Sequence, residues 1–216
     1  MGKMITRSLS EERLDRAMRV FWEKGYYDTS IEDLMARTGL HRAAIYGEFG
    51  SKKKLFEALL ARYREKVTTA MLSPLKAPDA AFAQLEQFFR QLHHFTALPD
   101  GRLGCLICHT ASEVSPHIRS VARIVSSYLD ELRALLRRAC VNARKRGEVH
   151  SGVDADQVAD YLVGAVLGLM ALARAPAPRT AVAHYVDGVV DFLKSLQPKG
   201  EDDGDRLSNE FTPTRS

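Results

Sequence analysis

The stretch from Thr29 to Leu55, TSIEDLMARTGLHRAAIYGEFGSKKKL, leaves a chain few ways to fold. Thr29, three residues ahead of Glu32, has the form of a capping box, in which each side chain satisfies an orphan amide of a helix's first turn. Ile31, Leu34 and Met35 then supply one apolar face at helical spacing. Gly39 provides the left-handed residue that ends a helix at least cost. After Leu40, the segment HRAAIYGEF sets Ile45 and Phe49 on one side and Arg42, Ala43, Tyr46 and Gly47 largely on the other, and Ser51 opens a further helix. Two short helices joined by a tight glycine turn make a helix-turn-helix, whose second helix fits the major groove of DNA.

These residues carry a resemblance. The order Phe21, Gly25 and Tyr26, then Thr29 to Ile31, Gly39, Ile45 with Tyr46, Phe49, and Ser51 with Lys52 resembles the DNA-binding domain of the tetracycline-repressor (TetR) family of bacterial regulators. The likeness covers about the first third of the chain. Two positions depart from the family pattern: His41 stands where a Ser or Thr cap is usual, and Gly47 where a larger polar residue is common. The resemblance implies an all-α fold, with an N-terminal three-helix helix-turn-helix domain and a C-terminal helical domain for ligand binding and dimerisation.

A chain of 216 residues with 45% apolar content buries a sizeable core. No run of about 18 apolar residues appears, and the N-terminus lacks the hydrophobic core of a signal peptide, so the expected location is the cytoplasm, with no membrane partner. A net charge of +4 suits a polyanionic partner without identifying one. Three cysteines, an odd number without an export signal, point to reduced thiols.

Along the chain, Ser8 and Glu11 form another capping-box pattern after an arm carrying Lys3 and Arg7. Leu14, Ala17, Met18, Phe21 and Trp22 follow as a helical stripe that reads as core, closed by Gly25. Ser51 caps a helix with Leu55, Phe56, Leu59, Leu60 and Tyr63 at helical spacing. Its first turn holds Lys52, Lys53 and Lys54, where cations oppose the helix dipole, an arrangement that a negatively charged partner explains. The composition between Met71 and Pro78 reads as a hinge. This places a helix-turn-helix domain at 1–70, an effector and dimerisation domain at 71–197, and a polar, disordered tail at 198–216.

Beyond the hinge, Phe82 to Phe95 reads as an amphipathic helix, Cys105 to Val114 as a short one, and Ile118 to about Lys145 as the longest. YLVGAVLGLMALA from Tyr161 is apolar almost all round, and about half the length a membrane helix requires. With a second apolar helix over 179–196, and with small residues at Gly164, Ala165, Gly168 and Ala171, it suits a four-helix bundle between two copies of the chain. The lesser alternative is that both are internal core helices of a monomer.

On the recognition helix, Arg42 is the candidate for guanine, Ala43 and Ala44 for methyl contact with thymine, and His41 for either base or phosphate. The family resemblance assigns phosphate contacts to Tyr46 and Thr29, and Lys52 adds a cation. The expected partners are a two-fold symmetric DNA operator, a small-molecule effector and a second copy of the chain. The effector pocket is expected among Phe89, His93, Cys105, Cys108, Glu113, His117 and Tyr128.

Cys105-Leu-Ile-Cys108-His109 also spells a c-type haem attachment pattern, but that chemistry requires export. A structural zinc site lacks its second ligand pair. A thiol-redox enzyme lacks its βαβ context. No cofactor, metal or catalytic residue is therefore expected, and no enzyme activity. Gly104-Cys105-Leu106 is similar to a segment in TetR regulators that sense reactive small molecules, which implies a nucleophilic Cys105, whereas the plain reading is a small buried hydrophobe. The expected function is a ligand-responsive transcriptional repressor. A thiol-based sensor, a thiol enzyme and a ligand-free architectural DNA-binding protein stay open beside it.

Overall fold

A computed structural model describes residues 10–198. The Ser8 cap, the Lys3 and Arg7 arm and residues 199–216 of the tail lie outside the described residues. Among the described residues every regular element is helical.

The first helix, α1 (Glu11–Lys24), buries Ala17, Met18, Val20, Phe21 and Trp22. Gly25 closes it at φ 88, a conformation that L side chains rarely adopt. Helix α2 (Ile31–Thr38) starts one residue later than the sequence pattern suggests. Its cap is Ser30, whose hydroxyl accepts from the Asp33 amide at 3.0 Å, while the Asp33 carboxylate accepts from the Ser30 amide at 2.9 Å. The capping box is thus Ser30–Asp33 and not Thr29–Glu32. Thr29 is displaced from that role because its hydroxyl donates to the Gly25 carbonyl at 2.6 Å, and its side chain is buried.

Gly39, at φ 67, makes the tight turn into α3 (Arg42–Phe49). Ser51 caps α4 (Lys52–Tyr63), accepting from the Lys54 amide. Phe21 and Phe56 pack with ring centroids 4.9 Å apart, and Ile45 closes the bottom of this small core. Each such side chain contributes about 1.5–3 kcal/mol by leaving water.

Helix α4 runs on through a π-helical turn, Arg64–Thr68, into α5 (Thr69–Met71). Thr68 and Thr69 both donate their hydroxyls to the Arg64 carbonyl, drawing it away from the regular ladder. The stretch expected as a hinge is structured: α6 (Ser73–Lys76) buries Leu75, and Arg138 donates to the carbonyls of Leu75, Lys76 and Ala77.

The remaining helices are α7 (Phe82–Ala97), α8 (Leu106–Glu113), α9 (Arg119–Lys145), α10 (Ala155–Arg174) and α11 (Arg179–Ser195), with a 3-10 turn at Gly101–Leu103. At 27 residues, α9 is the longest of the described helices. It packs along α10, and the seam is fixed by Arg133 and Arg137, which bridge to Asp156 and Asp160. These acids lie in two polar turns that precede the apolar run, so α10 reaches 20 residues and is, by length and composition, apolar enough to cross a bilayer. The apolar run alone understates it. In the fold this helix lies against α9, α8 and α11.

Candidate nucleic-acid interface and effector cavities

Helix α3 presents His41, Arg42, Ala43, Ala44, Tyr46 and Gly47 to solvent and buries only Ile45 fully. This is the geometry of a reading helix: Ile45 and the partly buried Phe49 anchor it and the neighbouring side chains face outward. Arg42 pairs with Glu32 of α2, with 55% and 67% of the two side chains exposed, so the pair is weak and opens easily to a stronger partner. Beside it, Asp33 accepts from Lys24 at 2.6 Å and from Ser30, and these bonds hold its carboxyl down at about 2.

Thr29 is not on this surface, because its hydroxyl is spent inside; Ser30 occupies the exposed position at the start of α2. Lys52 sits with Nζ 4.6 Å over the Tyr26 ring, and burial lowers its pKa. Lys53 and Lys54, in the same helical turn, are the more exposed cations.

The reading head is tied to the C-terminal helices around the end of α1. Arg174, the last residue of α10, donates to the carbonyls of Trp22 at 2.7 Å, Glu23 at 3.0 Å and Leu103 at 3.1 Å. A guanidinium there satisfies orphan carbonyls and complements the negative end of the α1 dipole. Trp22 Nε1 donates to the Gly104 carbonyl, and the indole meets the Tyr63 ring edge-on. Glu113, ending α8, accepts from the Tyr27 amide at 3.0 Å. A Cβ on Gly25 would lie 2.8 Å from that carboxylate, so both the backbone angle and the close approach require glycine. Arg19 bridges to Asp100 on the same side.

The residues expected around one effector pocket are dispersed. Phe89 and Tyr128 are buried in the core. Glu113 serves the joint just described, and His117 is exposed with its ring 6.2 Å from that of Tyr27. The helical period marked these residues as inward-facing or polar, which does not say on which cavity they open.

His93 lines a cavity of about 610 Å³ between the C-terminal ends of α7 and α10 and the start of α11. Arg102, Arg174 and Arg179 share that cavity, and neither Arg174 nor Arg179 stood out in the sequence. The available signal was a basic residue, Arg174, closing an otherwise apolar helix. Cys105 and Cys108 border a second cavity of about 280 Å³, with His109, Met170 and Arg174. Cys105 is held down to about 7, first by the Cys108 thiol and then by the Cys108 amide, against a burial effect that raises it. Cys108 is pushed up by the same pairing and by burial. Tyr63 Oη and His109 Nδ1 are buried beside this cluster without a hydrogen-bond partner.

Comparison with known proteins agrees with this layout. Residues 14–59 match the family model for bacterial regulatory proteins of the tetR family, and residues 81–189 match the tetracyclin repressor-like C-terminal domain. An uncharacterized HTH-type transcriptional regulator, YezE, from Bacillus subtilis (strain 168) is 28% identical over 181 residues, covering 83% of this chain and 93% of YezE. The HTH-type transcriptional repressor ComR from Escherichia coli (strain K12) is 27% identical over 162 residues, or 74% of this chain and 77% of ComR. The crystal structure of a TetR transcriptional regulator from Chloroflexus aurantiacus J-10-FL superposes with a TM-score of 0.77 at 28% identity, covering 87% of this chain and 94% of that one. A glycine-turned reading helix joined to an all-helical domain, with family matches across both parts, settles the assignment: the chain belongs to the TetR family of DNA-binding transcriptional regulators.

Proposed function

We propose that this regulator is a repressor that binds a two-fold symmetric operator as a homodimer in the cytoplasm, without enzyme activity, and leaves DNA when a small molecule occupies its C-terminal domain (residues 71–197). The observation that carries the reading is α3, whose residues Arg42, Ala43, Ala44, Tyr46 and Gly47 face outward while Ile45 and the partly buried Phe49 anchor it to the core. Arg42 reads guanine once it leaves Glu32, Ala43 and Ala44 meet methyl groups, and Tyr46, His41, Ser30 and the lysines of α4 hold phosphates. ComR, a relative, is named as a repressor, which favours repression over activation.

Dimerisation is supported by the outer faces of α10 and α11. Tyr161 is 49% exposed and packs at a tilt against the Phe192 ring, and open space faces the Cα of Gly164 and Gly188, which lets another helix approach closely. The test combines sedimentation with footprinting on the DNA upstream of the gene. A dimer with dyad-symmetric protection, lost in Arg42→Ala, is expected; a monomer, or protection without symmetry, refutes the reading.

A second reading, thiol sensing, rests on the place of Cys105, a buried thiol at the start of α8 that borders the 280 Å³ cavity beside Cys108, with its pKa lowered by that neighbour. Here the Cys105 thiolate adds to an electrophilic carbon, forming an S–C bond, and a proton from solvent completes the adduct. Mass spectrometry of protein treated with N-ethylmaleimide decides it: release from DNA with Cys105 unmodified ends that reading.

A further inference from the structure

We propose that the 610 Å³ cavity is a binding site for an amphiphilic organic carboxylate, and that Arg174 passes its occupancy to the reading head. The inference rests on the ligand-released repressor proposed above and adds the site, the ligand class and the residue that transmits.

The cavity's chemistry is one-sided. Arg102, Arg174, Arg179 and His93 contribute the charge-bearing side chains of its lining, and no Asp or Glu lines it. Arg102 and Arg179 are exposed at its mouth, so an anion enters past two cations before it reaches the half-buried Arg174. Leu172 and Val182, with several alanines, make up most of the remaining wall and Thr96 and Thr180 the rest, which suits a hydrocarbon or aromatic body attached to the charge. Guanidinium forks match carboxylate geometry, and charge-assisted bonds are about twice as strong as neutral ones.

Arg174 gives this site its consequence. Its three hydrogen bonds go to main-chain carbonyls, two of them at the end of α1 and one at Leu103. All three are neutral acceptors. A carboxylate in the cavity is the stronger acceptor and draws the guanidinium toward itself. The Trp22 and Glu23 carbonyls are then left to water, and α1 loses its hold on α10. Because α1 carries α2 and α3, the separation of the two reading heads in a dimer changes. A ligand with this preference shifts the population away from the DNA-binding form.

The test uses the full-length protein with octanoate and 1-naphthoate as probes, and 1-octanol and 1-naphthalenemethanol as neutral controls. Calorimetry on DNA-free protein is expected to show that at least one carboxylate binds, with its alcohol at least tenfold weaker. Arg179→Ala and Arg102→Ala, both at exposed positions, should each weaken that carboxylate about tenfold. Arg174→Lys keeps a cation but loses the fork, so binding persists in weakened form while the carboxylate no longer alters DNA affinity.

No binding by either carboxylate, equal binding by the alcohols, or unchanged affinity in both exposed variants overturns the site. Carboxylate binding with an undiminished DNA response in Arg174→Lys overturns the transmission step. Failure of the repressor reading looks different: the ligand-free protein ignores its upstream DNA, whatever calorimetry shows.

Discussion

Replacing Gly25 with alanine tests the joint between the reading head and the rest of the molecule. At φ 88 and ψ 176 the backbone occupies a region open almost only to glycine, and holding an alanine there costs about 1–3 kcal/mol. The new methyl would also lie 2.8 and 2.9 Å from the two Glu113 carboxylate oxygens. The carboxylate has to withdraw, giving up its bond to the Tyr27 amide. Since Glu113 keeps 20% of its side chain exposed, water replaces part of that bond, and the loss is about 1–2 kcal/mol. The sum, about 2–5 kcal/mol, is a large share of the 5–15 kcal/mol typical of a whole domain. Urea unfolding at fixed protein concentration measures it, and Glu113→Ala completes a double-mutant cycle. Without the carboxylate, Gly25→Ala should cost about 1–2 kcal/mol less. An identical penalty in both backgrounds would show that Glu113 does not rest on Gly25 in solution.

Glu32→Gln releases Arg42 from an exposed ion pair and removes a negative charge beside the duplex, so operator affinity should rise about two- to fivefold by fluorescence anisotropy. Unchanged or weaker binding would mean that Arg42 does not use this freedom. Lys53→Ala and Lys54→Ala should each weaken binding to all sequences alike and reduce the salt slope by about one, read from the same titrations at several salt concentrations. Asp33→Asn should lower the melting temperature at neutral pH. The folded-state pKa of Asp33 lies below its ordinary value, so its contribution is present above the usual carboxylate range and fades as pH falls toward about 2. The gap between variant and wild type should therefore close in acid, and a gap independent of pH would refute this account of the cap.

Local chemistry alone determined the turn at Gly39, the outward face of Arg42 to Tyr46, the anchoring by Ile45 and the extent of the longest helix. Each is written in spacing and in backbone preference, which act over a few residues. The tertiary structure decided the rest. Thr29 yielded the cap to Ser30 because the Gly25 carbonyl lay within reach of its hydroxyl. Trp22 read as a core residue, yet its indole N–H joins the head to Gly104, 82 positions away. Arg174 finds the end of α1 from more than 150 positions along the chain. The periodicity of Phe89 fixed that it faces inward and left open whether it meets a cavity or solid core. Periodicity fixes which side of a helix is buried, but a cavity is the space left between helices, set by how several pack together, and no single segment encodes it.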